Sequence, residues 1–125
     1  MISDVPNFAF VVGYVNHAWT LKADLVADYV CRLLAHMDRH GYTTVTPVVD
    51  DPTLTFKPFI VDIDSGYVAR AMHLFPKQGS HGPWTADQHY RKDRERLRTI
   101  EDPALRFARV EHTRATPAAR PTVMA

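Results

Sequence analysis

The sequence predicts an α+β fold in which one strand leads through a tight turn into a long helix, followed by an extended arm with short helices. Residues 8–12 form an uninterrupted apolar run of β-compatible residues, and Gly13 ends it. Because the run does not alternate with polar residues, it indicates a strand covered on both faces, as in a parallel sheet.

The helix after the turn is the second observation behind this fold class. Its apolar residues recur at helical spacing, while most charged residues stay off the stripe. Thr20 is the predicted N-cap, with Asn16 as the alternative, and Gly41 suits the left-handed position after the last turn. The stripe consists of Leu21, Leu25, Val26, Tyr29, Val30, Leu33, Leu34 and Met37.

The arm after the helix contains short elements punctuated by prolines. Residues 42–49 and 56–62 are each interrupted by a proline, so we predict edge strands or extended segments. A short helix capped by Asp64 or Ser65 follows, and residues 85–99 predict a polar helix with a solvated surface. We therefore divide the chain into a strand-turn-helix unit at 1–41, an arm at 42–109 and a tail at 110–125 that we expect to be disordered.

Length and composition limit what the chain can be. A chain of 125 residues with 46% hydrophobic residues is expected to bury one modest core. Cys31 is the single cysteine, so no internal disulfide is expected, and its place in the helix indicates a buried, inert thiol. The sequence shows no signal peptide, and its apolar stretches are too short to span a membrane, so we expect a cytoplasmic protein without membrane insertion.

The charge distribution supports an alternative to an enzyme. Residues 1–75 carry five Lys/Arg and eight Asp/Glu, a net −3, whereas residues 76–125 carry ten and six, a net +4. An independent α+β module that binds a protein or acidic partner through its basic half is therefore the second hypothesis. Nucleic acid is not expected as a partner, because acidic residues interleave the basic ones around the polar helix.

The candidate reactive side chains give weak signals. His36 and His40 lie four residues apart on the helix, but no glutamate follows the first, so we interpret them as surface histidines and expect no metal site. No side chain stands out as a catalytic acid, base or nucleophile. By contrast, a strand that turns tightly into a helix aims the helix N-terminus at an anionic or electron-rich group, such as a phosphate, a carboxylate or the edge of a reduced flavin.

Separated motifs in the chain carry a resemblance to a known family. The matching segments are residues 5–10, Gly13 and Tyr14 with Asn16, residues 19–25, 75–80, 83–84 and 105–107. In this order they resemble the C-terminal segment of bacterial flavin-containing monooxygenases of the Baeyer-Villiger type. The resemblance covers roughly residues 3–107, and several motifs in order are more specific than any one of them.

The resemblance implies a flavoprotein monooxygenase that uses FAD, NADPH and O2 to oxygenate a small-molecule ketone, sulfide or amine. In it, the strand and helix are the last strand and following long helix of an α/β FAD-binding domain, and the arm covers that domain's surface. Three of the residues proposed as cofactor contacts have an alternative role: Asn16 could instead cap the turn, His17 could face solvent, and Trp19 could belong to the core. The expected cofactor contacts are Gly13, Asn16, His17, Trp19, Thr20 and Leu21.

The chain lacks the motifs that hold the rest of the cofactors. Its five glycines contain no G-x-G, although FAD and NADPH domains each need a glycine fingerprint after a strand. We therefore expect the C-terminal portion of a larger enzyme, inactive alone, whose partners are the remaining parts of the FAD and NADPH domains.

Overall fold

The computed structural model describes residues 1–14, 17–59, 66–100 and 102–109, and within them the chain has an α+β fold. A long helix is accompanied by two small antiparallel sheets and two short helices. In chain order the elements are α1 (Trp19–His40), β1 (Thr44–Pro47), β2 (Phe56–Pro58), α2 (Gly66–Ala71), β3 (Lys77–Gly79), α3 (Tyr90–Arg96) and β4 (Leu105–Ala108). Single 3₁₀ turns lie at Met72–Leu74 and Gly82–Trp84.

The C-terminus of α1 is closed by the chain itself. Gly41 has a φ of 66°, a left-handed conformation that glycine adopts without strain. Its N–H donates to the Asp38 carbonyl at 3.2 Å, and the Tyr42 N–H donates to the Met37 carbonyl at 2.9 Å. These two bonds form a Schellman motif, which confirms the predicted end of the helix.

Both sheets pair distant parts of the arm. β1 runs antiparallel to β4, with Val45 opposite Phe107, and β2 runs antiparallel to β3, with Lys57 opposite Gln78. The extended segments predicted after α1 are thus confirmed at β1 and β2. Their partners β3 and β4 are not predicted by the sequence, because neither strand contains a β-branched residue.

The hydrophobic core lies between the last turns of α1 and the β1–β4 sheet. Met37, Val45 and Leu105 are buried there, at 7%, 7% and 9% exposure. Leu33, Tyr42 and Phe107 pack around them. The core therefore covers one end of α1 and leaves the other end outside it.

The predicted strand at residues 8–12 is not formed. This segment pairs with no strand of the described chain, and Phe8 and Val11 are 54% and 40% exposed. A buried parallel strand needs neighbours on both sides, and the described residues supply none. The backbone is instead held just before it, where the Asn7 N–H donates to the Val45 carbonyl at 2.9 Å.

Other predicted elements are corrected in extent. The polar helix predicted at 85–99 begins only at Tyr90, because the Ala86 N–H donates to Gln78 Oε1 at 3.1 Å and Asp87 pairs with Arg96 at 2.8 Å. The predicted short helix is present as α2 and the 3₁₀ turn that follows. Its proposed caps, Asp64 and Ser65, and the tail 110–125 lie outside the described residues. No described helix is long and apolar enough to cross a membrane.

Candidate functional site

The turn before α1 is packed around Gly13. A Cβ atom at this position would lie 2.3 Å from Cδ2 of Trp19, so the indole ring rests directly on the glycine backbone. Trp19 remains 64% exposed, because only one part of its ring is covered by the turn. Two of the predicted cofactor residues therefore contact each other, and only a glycine fits beneath the ring.

Tyr14 fixes the same turn to α3. Its side chain is 1% exposed, and its hydroxyl donates to Asp93 Oδ2 at 2.7 Å. Lys22 Nζ, from the first turns of α1, lies 2.7 Å from the same oxygen and 5.4 Å from the centroid of the Tyr14 ring. Burial, and then the hydrogen bond to Asp93, raise the pKa of Tyr14 above its usual value.

The N-terminus of α1 has no side-chain cap. The N-cap residue is Ala18, with φ −59° and ψ 129°, and no side chain bonds to the cap position. This corrects the predicted N-cap, because Thr20 lies inside the first turn. That turn also carries no acidic residue, so its partial positive charge is not offset from within the helix.

The remaining predicted site residues are on the surface of this region. His17 is exposed and meets the Tyr14 ring edge-on, with centroids 5.8 Å apart. Thr20 is exposed, and Leu21 is 39% exposed. Asn16 lies outside the described residues. The structure thus brings Gly13, Trp19 and the start of α1 together, with His17 beside them.

Sequence reasoning missed Asp93 and Lys22. Asp93 lies in a run of basic residues and was interpreted as one of several alternating surface charges, but it is only 3% exposed. Lys22 is one of the charged residues that lie off the apolar stripe of α1, a position that does not by itself indicate a buried partner. The helical period of residues 90–96 separates Asp93 from the faces of several charged neighbours. No local sequence pattern, however, identifies Lys22 as its partner, 71 positions away.

The apolar stripe of α1 opens onto a groove. A cavity of about 650 Å³ lies between α1, the segment 8–12 and the arm, and we call it the α1 groove. Phe8 and Phe10 contribute to its wall, and Leu34 at its side is 54% exposed. The hydroxyl of Tyr29, which also lines the groove, is buried and has no hydrogen-bond partner among the described residues. Part of the apolar stripe of α1 is therefore uncovered among the described residues.

Elsewhere on α1, Cys31 and His40 are exposed, whereas the His36 ring is half-buried against Phe107, with centroids 5.1 Å apart. Cys31 is exposed, which corrects the expected buried thiol, because the apolar stripe passes along another face of the helix. The His36 and His40 rings have centroids 4.3 Å apart, and His40 Nδ1 lies 2.8 Å from the His36 carbonyl. No group of three or more metal-ligating side chains occurs among residues that the structure describes.

A serine, a histidine and an aspartate meet at the end of β3. Ser80 Oγ lies 3.0 Å from His81 Nδ1, and His81 Nε2 lies 2.8 Å from Asp51 Oδ2. The contact with His81, followed by bonds from Thr53, lowers the pKa of Asp51 to about 2. His81 and Asp51 are both exposed, and the Thr55 N–H donates to Ser80 Oγ at 3.2 Å. The cluster therefore joins two loops and forms no enclosed site.

Comparison with known proteins shows that the chain is similar to a segment of bacterial FAD-containing monooxygenases. Its relatives carry that description in their names, and they are 40–46% identical to it over most of its length. The chain spans about a fifth of the length of these relatives, 22% in each case. The sequence resemblance to flavin-containing monooxygenases is thus confirmed; the Baeyer-Villiger type is a finer subdivision of that class.

Three of these relatives illustrate the similarity. The probable FAD-binding monooxygenase AlmA of Acinetobacter baylyi is 46% identical over 109 residues, 86% of this chain. The FAD-containing monooxygenase EthA of Mycobacterium tuberculosis is 45% identical over 111 residues, 87% of this chain. MymA of the same organism, a putative FAD-containing monooxygenase by name, is 40% identical over 110 residues, 86% of this chain. No protein-family model and no solved structure matches the chain.

Proposed function

We propose that the chain is the C-terminal portion of a flavoprotein monooxygenase of the Baeyer-Villiger type, which uses FAD, NADPH and O2 to oxygenate a ketone, sulfide or amine. The single observation that carries the proposal is the 46% identity with a protein named as an FAD-binding monooxygenase. When bound, FAD supplies the oxygen-transfer chemistry in such an enzyme. The chain's own residues bind and orient it.

The start of α1 suits one edge of a flavin. Its helix N-terminus has no side-chain cap and no acidic residue in the first turn, so an electron-rich group is favoured there. In this proposal the backbone of Thr20 and Leu21 faces the flavin edge, although the Leu21 N–H also donates to the Ala18 carbonyl at 3.2 Å. Trp19 forms one wall of the site, and Gly13 makes room for its indole ring. His17 and Asn16 are the remaining proposed contacts, and no side chain of the chain is assigned an acid, base or nucleophile role.

The α1 groove is the proposed contact with the rest of the enzyme. Its apolar lining, the exposed Phe8 and Leu34, and the unpartnered Tyr29 hydroxyl all require a cover that combines apolar groups with one polar group. Since the relatives are several times longer than this chain, we assign the cover to the remainder of the FAD and NADPH domains. In that setting the segment 8–12 gains the neighbouring strands that it lacks here.

A chimera tests this function. Residues 1–109 replace the homologous segment of the Acinetobacter baylyi relative, and the purified protein is assayed for FAD content and for anaerobic reduction of the flavin by NADPH. We expect stoichiometric FAD and complete reduction. Gly13→Ala is expected to lose most of the FAD, because its Cβ would displace Trp19, from which it would be only 2.3 Å away.

Gly66→Ala in the same chimera is the matched control. A Cβ there would approach only Arg70 Nη1, at 3.5 Å, so FAD content is expected to stay unchanged. A soluble, folded chimera without flavin would contradict the proposal. So would a stoichiometric yellow flavin on the 125-residue chain alone, since the proposal places the main nucleotide-binding motifs in other polypeptide.

A further inference from the structure

Asp93 is a buried carboxylate that joins three separate parts of the chain. It is 3% exposed and comes from α3, and one of its oxygens, Oδ2, receives both contacts. The Tyr14 hydroxyl reaches that oxygen from the turn at 2.7 Å, and Lys22 Nζ reaches it from α1 at 2.7 Å. Lys22 is the fourth residue of α1, so the network contacts the start of that helix.

An ion pair between a buried carboxylate and a lysine that is only 21% exposed needs a physical explanation. Removing a carboxylate and an ammonium from water is costly, and their attraction offsets the cost only with good geometry. A solvated surface helix has no use for such a pair, and the neighbouring Lys92, Arg94 and Glu95 are all exposed. The contacts of Asp93 do link α3 to Tyr14, before the turn, and to Lys22, on α1.

His17 also lies across from the start of α3. A small cavity of about 290 Å³ is lined by His17 on the turn and by His89, Tyr90 and Arg91 at the start of α3. The described residues on either side of positions 15–16, Tyr14 and His17, therefore both face α3.

We propose that Asp93 is a positioning residue for the flavin edge: through Tyr14 and Lys22 it holds the turn and the first turns of α1 in the direction that the cofactor requires. Lys22 is a cation near the positive end of the α1 dipole, which is unfavourable, and Asp93 offsets that charge. This inference rests on the proposed function for the identity of the cofactor. The network itself is a property of this chain.

Amide hydrogen exchange on the full 125-residue chain tests the network. Asp93→Asn keeps the side-chain shape but removes the charge, so we expect exchange at residues 21–26 to accelerate about tenfold or more, as loss of a charged hydrogen bond implies. Residues 33–40, which lie on the core, should change little. Glu95→Gln, the same chemical change at an exposed position on α3, should alter neither region.

Tyr14→Phe provides a milder variant that changes no charge at neutral pH. It should also accelerate exchange at residues 21–26 and spare residues 33–40. Uniform acceleration along α1 in both variants would overturn the inference, because it would show that the network only stabilises the whole fold. Unchanged exchange in both, or exchange that is already rapid throughout α1 of the unmodified chain, would overturn it as well.

The chimera then tests the effect on the cofactor. A loosened helix N-terminus stabilises electron-rich reduced flavin less, so Tyr14→Phe is expected to make the flavin midpoint potential more negative. Tyr67→Phe, at a side chain that is 72% exposed, is the matched control and should not shift the potential. An unshifted or more positive potential in Tyr14→Phe would overturn the positioning role.

The two proposals fail in different measurements. If the unmodified chimera holds no flavin, the proposed function fails, and the exchange experiment still decides whether Asp93 fixes the turn. If the unmodified chimera holds flavin but neither exchange nor potential responds to the variants, only the positioning role fails.

Discussion

The two ends of α1 differ in how far this chain completes them. At the C-terminal end, Gly41 closes the helix with a Schellman motif, and Met37 is buried with Val45 and Leu105. At the N-terminal end, Ala18 provides no side-chain cap, Trp19 is 64% exposed and the neighbouring apolar segment 8–12 pairs with no described strand. The C-terminal end packs on the hydrophobic core, whereas the N-terminal end is joined to α3 by the polar contacts of Asp93 and presents apolar surface to solvent.

Truncation of the core should have the largest effect. Met37→Ala removes a buried side chain and is expected to lower the free energy of unfolding of the chain by about 2–4 kcal/mol. Leu34→Ala, on the same helix but 54% exposed, should cost less than about 1 kcal/mol. Chemical denaturation of both variants measures the difference. Equal losses would contradict the division of α1 into a packed and an unpacked side.

Met37→Ala and Leu34→Ala, made in the chimera, show whether the rest of the enzyme covers the exposed side of α1. If the α1 groove is covered by the remainder of the enzyme, Leu34→Ala becomes a core truncation and should cost the chimera distinctly more than it costs the chain alone. Met37→Ala should cost both proteins about the same. A Leu34→Ala effect that is small in both would argue that the groove stays open.

The cap at Gly41 should give the next largest effect. Gly41→Ala forces a side chain into the left-handed conformation at φ 66°, at a cost of about 1 kcal/mol, measured by thermal or chemical unfolding. A Cβ there has room, with Arg109 Nε at 3.7 Å, so the cost is conformational. Gly41→Asn should lose less, because asparagine tolerates this region. A larger loss for asparagine than for alanine would contradict this reason.

At the uncapped N-terminal end of α1, a substitution should raise the free energy of unfolding instead of lowering it. Ala18→Ser supplies the missing cap and is expected to stabilise the chain by about 0.5–1 kcal/mol. Ala27→Ser, the same change inside α1, should instead be slightly destabilising. In the chimera, Ala18→Asp should weaken FAD binding, because a carboxylate would occupy the position favoured for the flavin edge. A destabilised Ala18→Ser chain, or full FAD binding by Ala18→Asp, would contradict this view of the helix start.

The smallest effect at ordinary pH concerns Tyr14. The pKa of Tyr14 is raised in the folded chain, first by burial and then by the hydrogen bond to Asp93. The folded chain therefore binds the phenol proton more tightly than the unfolded chain does. The associated stability is fully present below the unfolded pKa of about 10 and is lost as pH rises through the folded value. Absorbance titration of the phenols, compared with Tyr14→Phe, measures this. A Tyr14 that ionises like a free tyrosine would contradict its burial.

How much the sequence predicts also differs between the two ends. The period of the apolar residues and Gly41 predict the last turns of α1 correctly, because both signals are local and act within one helix. Edge strand β1 is predicted for the same reason. Its partner β4 is not, since it has none of the β-branched residues of β1 and is defined by the strand with which it pairs.

At the N-terminal end, local signals mislead. The run 8–12 is typical of a buried strand, but burial depends on neighbours that the described chain does not provide. Threonine is favoured at N-caps, so Thr20 is the predicted cap. The helix nevertheless begins one residue earlier, at Trp19, whose ring packs on Gly13. Asp93 appears as a surface charge because its partners, Tyr14 and Lys22, are distant in sequence. The family resemblance, by contrast, was carried by ordered motifs and is confirmed.

Reactivity of Trp19 toward hydroxyl radicals, quantified by mass spectrometry, tests the central claim most directly. In the chain alone, Trp19 should be modified rapidly, as its 64% exposure implies, while Met37 is protected. In the flavin-loaded chimera, Trp19 should become protected and Met37 should stay so. Equal reactivity of Trp19 in the two proteins would contradict the claim that polypeptide and cofactor from outside this chain complete the start of α1.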